Sequence, residues 1–257
     1  MRQSRYDVQK AFMHGITARD IAEPLPSFDD TAAAPEVREV MLRRGYDVAG
    51  VRHEGLVSGY LIQTELGEGL CRDYERPFED ATVLLPAAPL TEVIQALSDA
   101  PRVFVRSLGQ VGGMITRADL QDPPVRMWLF GLITAIELRF HDLIEEHLPD
   151  EAWTQYLSPE RTEKARLLLE ERRRREQHPA LLDCLQFADK GQIIARDESL
   201  RKRAGFPSRR RADTAVKLFE GLRNNLAHSQ DIVASDWETI AVIAVNLERV
   251  IHLVHPD

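Results

Sequence analysis

Short apolar runs broken by glycine and proline fill the first 120 residues, and long helical periods fill the rest. Val48–Val51, Leu56–Ile62, Val103–Val105 and Val111–Ile115 have the length and β-branching of strands. Between them, Val37, Val40 and Met41 within 35–44, and Val93, Ile94 and Leu97 within 90–98, recur at three- and four-residue spacing. That period places side chains on one face of a helix. Asp122-Pro123-Pro124 then stops the pattern, because proline cannot donate to a strand ladder and disfavours helix in the residue before it. We place a junction there, between a first part of 1–121 and a second of 122–257.

In the second part Leu129, Leu132, Ile133, Ile136, Phe140, Leu143 and Ile144 predict one amphipathic helix over 125–148. A highly charged helix follows from Pro159 to about Gln177, and a third after Pro179 with Leu181, Leu182, Leu185 and Phe187. A fourth covers about 213–228 on Ala215, Leu218, Phe219, Leu222 and Leu226. The last begins at Ser235, with Asp236 near a capping position and Ile240, Ile243 and Ala244 on its face. Five helices with short or medium connections predict a bundle, so the fold class is α/β followed by all-α.

The first part repeats itself, over about residues 13–66 and 81–120. Leu56-Val-Ser-Gly59-Tyr-Leu-Ile62-Gln-Thr-Glu65-Leu aligns with Gln110-Val-Gly-Gly113-Met-Ile-Thr116-Arg-Ala-Asp119-Leu on Gly59 and Gly113. A β-α-β-β-α unit used twice implies two halves about a pseudo-twofold axis with a cleft between them. This pattern resembles a tandem pair of CBS domains. The resemblance implies an adenine nucleotide as regulatory ligand, with the Thr116 hydroxyl at phosphate or ribose and the Asp119 carboxylate accepting from ribose hydroxyls. In the first copy Ile62 and Glu65 stand at those places, a departure from the pattern. The structural alternative for Thr116 and Asp119 is a helix N-cap.

Composition changes this picture little: 44% hydrophobic and 29% charged residues describe a globular chain of 257 residues. Two distant cysteines support neither a disulfide framework nor a zinc site. No apolar run reaches the ~18 residues of a membrane span, so a soluble cytoplasmic protein with no membrane partner is expected. The net charge of −8 argues against a generic nucleic-acid coat, although Arg172–Arg175 and Arg209–Arg211 form two local basic runs suited to phosphate contacts.

One stretch breaks the amphipathic pattern: Arg223-Asn224-Asn225-Leu226-Ala227-His228. Two asparagines are poor helix formers, and here they sit with a fixed cation and an imidazole within one and a half turns. Those groups can cleave an RNA phosphodiester without metal. Histidine moves the proton of a 2′-hydroxyl or leaving oxygen, and a guanidinium holds the phosphate bidentately. The arrangement is similar to HEPN domains of the abortive-infection kind. That resemblance implies Arg223 and His228 as the catalytic pair, Asn224 as assistant, Glu137 as supporting acid, and a homodimer that brings two motifs together. It implies a ligand-regulated endoribonuclease acting on RNA, of toxin or phage-defence type, needing no cofactor for catalysis. The alternative is a non-catalytic nucleotide-sensing dimerisation or adaptor protein, with Arg223 and Asn224 as structural caps.

Overall fold

The structure is a computed structural model that describes residues 15–78 and 83–252, with side chains through residue 245. The described residues divide into two compact units between Val125 and Arg126. The first residues of each sequence repeat, 13–14 and 81–82, lie outside the described residues.

In the first unit the order is β1 (Glu23–Pro24), β2 (Ser27–Asp29), α1 (Ala34–Arg44), β3 (Val48–His53) and β4 (Leu56–Ile62). The second copy follows as β5 (Arg76–Pro77), β6 (Val83–Leu84), α2 (Leu90–Asp99), β7 (Arg102–Ser107) and β8 (Gln110–Thr116). The four runs read as strands and the two helical periods are all present. Helix α2 buries Leu90, Val93, Ile94 and Leu97, the face its period predicts. Helix α1 buries Ala34, Val37 and Met41. It ends at Gly45, whose φ of 71° is the left-handed geometry that closes a helix and that glycine adopts without strain.

Two four-stranded sheets result, β1-β8-β7-β6 and β2-β3-β4-β5. Each contains a strand lent by the other repeat. Strand β1 pairs antiparallel with β8, Pro24 opposite Gly113; β5 pairs antiparallel with β4, Pro77 opposite Gly59. A proline at a sheet edge removes one exposed donor. The aligned glycines explain the close approach. A Cβ on Gly59 would stand 2.5 Å from the Arg76 carbonyl oxygen and 2.6 Å from the Glu75 side chain. On Gly113 it would meet Ala22 Cβ at 3.2 Å and the Glu23 carbonyl oxygen at 3.4 Å. Gly59→Val is therefore expected to destabilise this unit by about 1–3 kcal/mol through forced overpacking against backbone. Gly113→Val meets softer contacts and should lose less in a denaturant titration; equal stability of Gly59→Val and wild type would contradict this reading.

The closing helix of each repeat is corrected by the structure to a single 3-10 turn, Gln63–Glu65 in the first copy and Ala118–Gln121 in the second. Gly67 and Gly69 (φ 108°) turn the chain away after the first, and the two prolines after Asp122 reset it after the second. The repeat is thus β-β-α-β-β, with its leading strand exchanged.

The second unit is helical: α3 (Pro123–His147), α4 (Pro159–Arg174), α5 (Phe187–Arg196), α6 (Glu198–Arg203), α7 (Arg209–Ala227) and α8 (Ile232–His252). The single helix expected after Pro179 is instead a turn, Leu181–Cys184, and two helices. Three aspartates restart the chain: Asp183 accepts from Ala180 N–H at 2.7 Å, Asp189 from Gln186 N–H at 3.2 Å and Asp197 from Leu200 N–H at 2.8 Å. Such caps satisfy donors that a helix start leaves orphaned. Helix α7 likewise begins earlier than its apolar period, at the cap where Ser208 Oγ accepts from Arg211 N–H. The buried face of α3 carries the expected residues, among them Leu129, Ile133 and Phe140; that of α7 carries Phe219, Leu222 and Leu226 as expected, with Ala212 and Val216 in place of the half-buried Ala215 and exposed Leu218. Among the described residues no helix is long and apolar enough to cross a membrane.

Candidate functional site

Each half of the α/β unit offers a strand-to-turn junction. At the end of β8, Asp119 Oδ2 accepts the Thr116 N–H at 2.6 Å and the Thr116 hydroxyl at 3.0 Å, while Ala118 N–H donates to Thr116 Oγ1 at 3.2 Å. The pair therefore hydrogen-bonds within its own turn, one residue ahead of the N-cap position, which Arg117 occupies. The Thr116 hydroxyl has spent its one donor, whereas the Asp119 carboxylate keeps Oδ1 for further donors. Arg117 turns away and caps α2, donating to the Leu97 carbonyl at 2.8 and 3.0 Å.

A second Thr-x-x-Asp turn serves the same sheet. Thr17 N–H and hydroxyl both donate to Asp20 Oδ2, at 2.7 and 2.8 Å. The backbone around this turn is held to the segment before α2, with Ala18 N–H on the Ala88 carbonyl and Arg19 N–H on that of Pro86. Thr17-Ala-Arg-Asp20 could have been found in the sequence beside Thr116-Arg-Ala-Asp119; its position ahead of β1 hid the kinship.

The first copy closes its equivalent junction differently. Glu65, in the place of Asp119, is paired with Arg76 at 2.6 Å, and Ile62 offers no hydroxyl. Beyond the opposite ends of its strands, His53 Nδ1 lies 3.0 Å from Asp30 Oδ2. Their hydrogen bond raises the His53 pKa above its ordinary 6.5 and holds Asp30 below its ordinary 3.8. The Asp30 share of stability is present above 3.8 and lost as pH falls through its lowered value. The His53 share is full below 6.5 and lost as pH rises through its raised value. The contact is thus complete between about pH 4 and 6.5, and His53→Gln should flatten the melting profile on the alkaline side of that window. An unchanged profile would remove the pair from the account.

In the helical unit the motif ends α7. Asn224 and His228 are exposed, one turn apart on one face, and the His228 N–H caps the Asn224 carbonyl at 3.0 Å. Arg223 is half-buried on the stripe of Val216 and Phe219. Five residues of ideal helix turn through about 140° beyond one revolution, and His228 is the residue that caps the end of α7.

Two unforeseen residues shape this end. Asn225 Nδ2 donates to Asp236 Oδ2 at 2.8 Å and to Ser235 Oγ at 3.3 Å, tying α7 to α8. The Arg126 guanidinium donates to the carbonyls of Asn225, Leu226 and Gln230 at 3.1, 3.1 and 2.9 Å. A cation there satisfies the orphan carbonyls and the negative end of the helix dipole. Glu137 is elsewhere. It lies roughly 16 Å along α3 from Arg126 at 1.5 Å per residue, and accepts at 2.9 Å from Lys190, which is buried. The structure gives it an ion-pair partner and does not bring it to the motif. A nearby cluster of His141, Asp142 and Glu145 has its histidine engaged by Asp183 at 2.9 Å.

No protein-family model and no curated protein matches the chain. Solved structures do. The chain is similar to the CBS domain of the bacterial CNNM/CorC family Mg2+ transporter in complex with ATP, at 13% identity over 48% of this chain and 96% of that one, TM-score 0.37. It is similar to a CBS domain-containing protein of unknown function from Bacillus anthracis, at 16% over 43% and 94%, TM-score 0.37. It is also similar to CBSX2 in complex with AMP, at 16% over 41% and 93%, TM-score 0.35.

Proposed function

We propose that this chain is a ligand-sensing regulatory protein, in which the end of β8 holds an adenine nucleotide and the helical unit delivers the response. The observation that carries this is the asymmetry of the two junctions. Asp119 retains a carboxylate oxygen beside a turn already shaped by Thr116, whereas Glu65 is occupied by Arg76. A carboxylate accepting two vicinal hydroxyls suits a ribose, and the sequence resemblance to CBS pairs supplies the adenine. AMP or ATP at 100 times its dissociation constant should stabilise the chain by about 2.7 kcal/mol, and Asp119→Ala should remove that gain. Stabilisation that persists in Asp119→Ala would place the ligand elsewhere.

A second reading makes the response a metal-independent endoribonuclease of HEPN type. It is favoured by the end of α7: exposed Asn224 and His228, and an Arg223 that makes no ion pair among the described residues. In this reading two copies come together, each giving one of the pair to a shared phosphate. Met127, Phe130 and Leu138 leave an exposed apolar stripe on α3 that a second copy can cover, making the protein a homodimer with a composite RNA site. Without cleavage, the same dimer would serve as a nucleotide-sensing adaptor.

A further inference from the structure

The helical unit forms a solvent-open cavity of about 680 Å³ along the first half of α7. Its lining on α7 runs from Arg210 to Phe219, which lies one turn, roughly 6 Å along the axis, before Arg223. The volume falls within the ~300–1,000 Å³ of small-ligand sites. Ile136 and Phe140 of α3, Phe206 of the connection, Leu218 and Phe219 of α7 and Ile243 of α8 give it apolar walls. Phe140 and Phe206 meet edge to face, centroids 6.4 Å apart.

Its charge is one-sided. Arg139, Arg210 and Arg211 line the cavity, and no aspartate or glutamate does. Arg139 Nε is buried without a hydrogen-bond partner, and none of the three arginines forms an ion pair among the described residues. A guanidinium is always protonated and offers only donors, and a donor left buried without an acceptor is costly. Ser208 and the first turn of α7 border the same space, where the N–H groups of a helix start and its dipole favour an anion. Arg210 and Arg211 are exposed, which leaves them free to meet a charge entering from solvent.

We propose that this cavity binds a small amphiphilic anion, an aliphatic or aromatic body bearing a carboxylate or phosphate. The apolar body lies among the phenylalanines and the charged group accepts from Arg139, with Arg210 and Arg211 beside it. The site is separate from the nucleotide junction and does not depend on it.

The test uses the full chain and the fluorescence of 8-anilinonaphthalene-1-sulfonate, displaced by decanoate, decyl phosphate or uncharged decanol. The expected result is displacement by at least one anion at tenfold or more lower concentration than decanol, and comparison of the two anions identifies carboxylate or phosphate. Arg139→Met should weaken the anions at least tenfold and leave decanol unchanged. Ala215→Trp, which fills the cavity and alters no charge, should abolish displacement by all three. Should Arg139→Met fail to fold by circular dichroism, the double variant Arg210→Met, Arg211→Met carries the charge test, with a threefold or greater loss of anion affinity expected. Equal potency of decanol and both anions, an anion preference that survives the charge variants, or displacement that survives Ala215→Trp would overturn the proposal.

Discussion

Glu137→Leu should cost the helical unit about 3–5 kcal/mol, because it strands the Lys190 ammonium in a buried site without its counter-charge. Lys190 keeps only 8% of its side chain exposed and Glu137 keeps 23%, so water cannot take over the lost contact fully. The double variant Glu137→Leu, Lys190→Met removes both charges, and it should recover most of the loss, since a hydrophobic pair of similar volume is often as stable as a buried ion pair. Denaturant titration of the four proteins gives the coupling directly. A catalytic acid would behave differently. If Glu137→Leu folds with wild-type stability and yet loses an activity, the ion pair is not its role.

His228→Ala is expected to lower RNA cleavage by about 100- to 10,000-fold if the imidazole moves the proton of a 2′-hydroxyl or leaving oxygen. Arg223→Lys should also be badly impaired, because an ammonium keeps the charge and loses the planar fork. A site shared between two copies adds a sharper consequence. Arg223→Ala and His228→Ala proteins, each inactive, should regain about a quarter of wild-type cleavage when unfolded together and refolded as an equal mixture. Half of the dimers would then be mixed, and each mixed dimer would hold one intact site of two. Cleavage should persist in excess chelator. Absence of cleavage in wild type, with and without adenine nucleotides, would leave the adaptor reading of the helical unit.

The sequence displays the elements whose information is periodic. Strands β3, β4, β7 and β8 and helices α1, α2 and α3 bury enough apolar residues at regular spacing to be read directly, and Gly59 and Gly113 announce the repeat. Strands β1 and β5 are two residues each, Glu-Pro and Arg-Pro, too short to carry a period. Their exchange between repeats is recorded only in the space kept open by the partner glycines. The breaks between Leu181 and Arg203 depend on single aspartate caps, which weigh little in a count of apolar positions. Site chemistry followed the same divide. Thr116, Asp119, Arg223 and His228 are visible because each lies in one short stretch. Other roles are decided by partners further along the chain: Arg76 for Glu65 across 11 residues, Lys190 for Glu137 across 53 and Arg126 for the end of α7 across 99. Such contacts leave no trace in the periodic spacing of a single element.

The measurement that bears most directly on the sensor is the stoichiometry of adenine nucleotide binding by isothermal titration of the full chain. One nucleotide per chain is expected with AMP or ATP, because Asp119 is open to a ribose and Glu65 is held by Arg76. Asp119→Ala should bring the number to zero. Two nucleotides per wild-type chain, none at millimolar concentration, or one that survives Asp119→Ala would contradict the account.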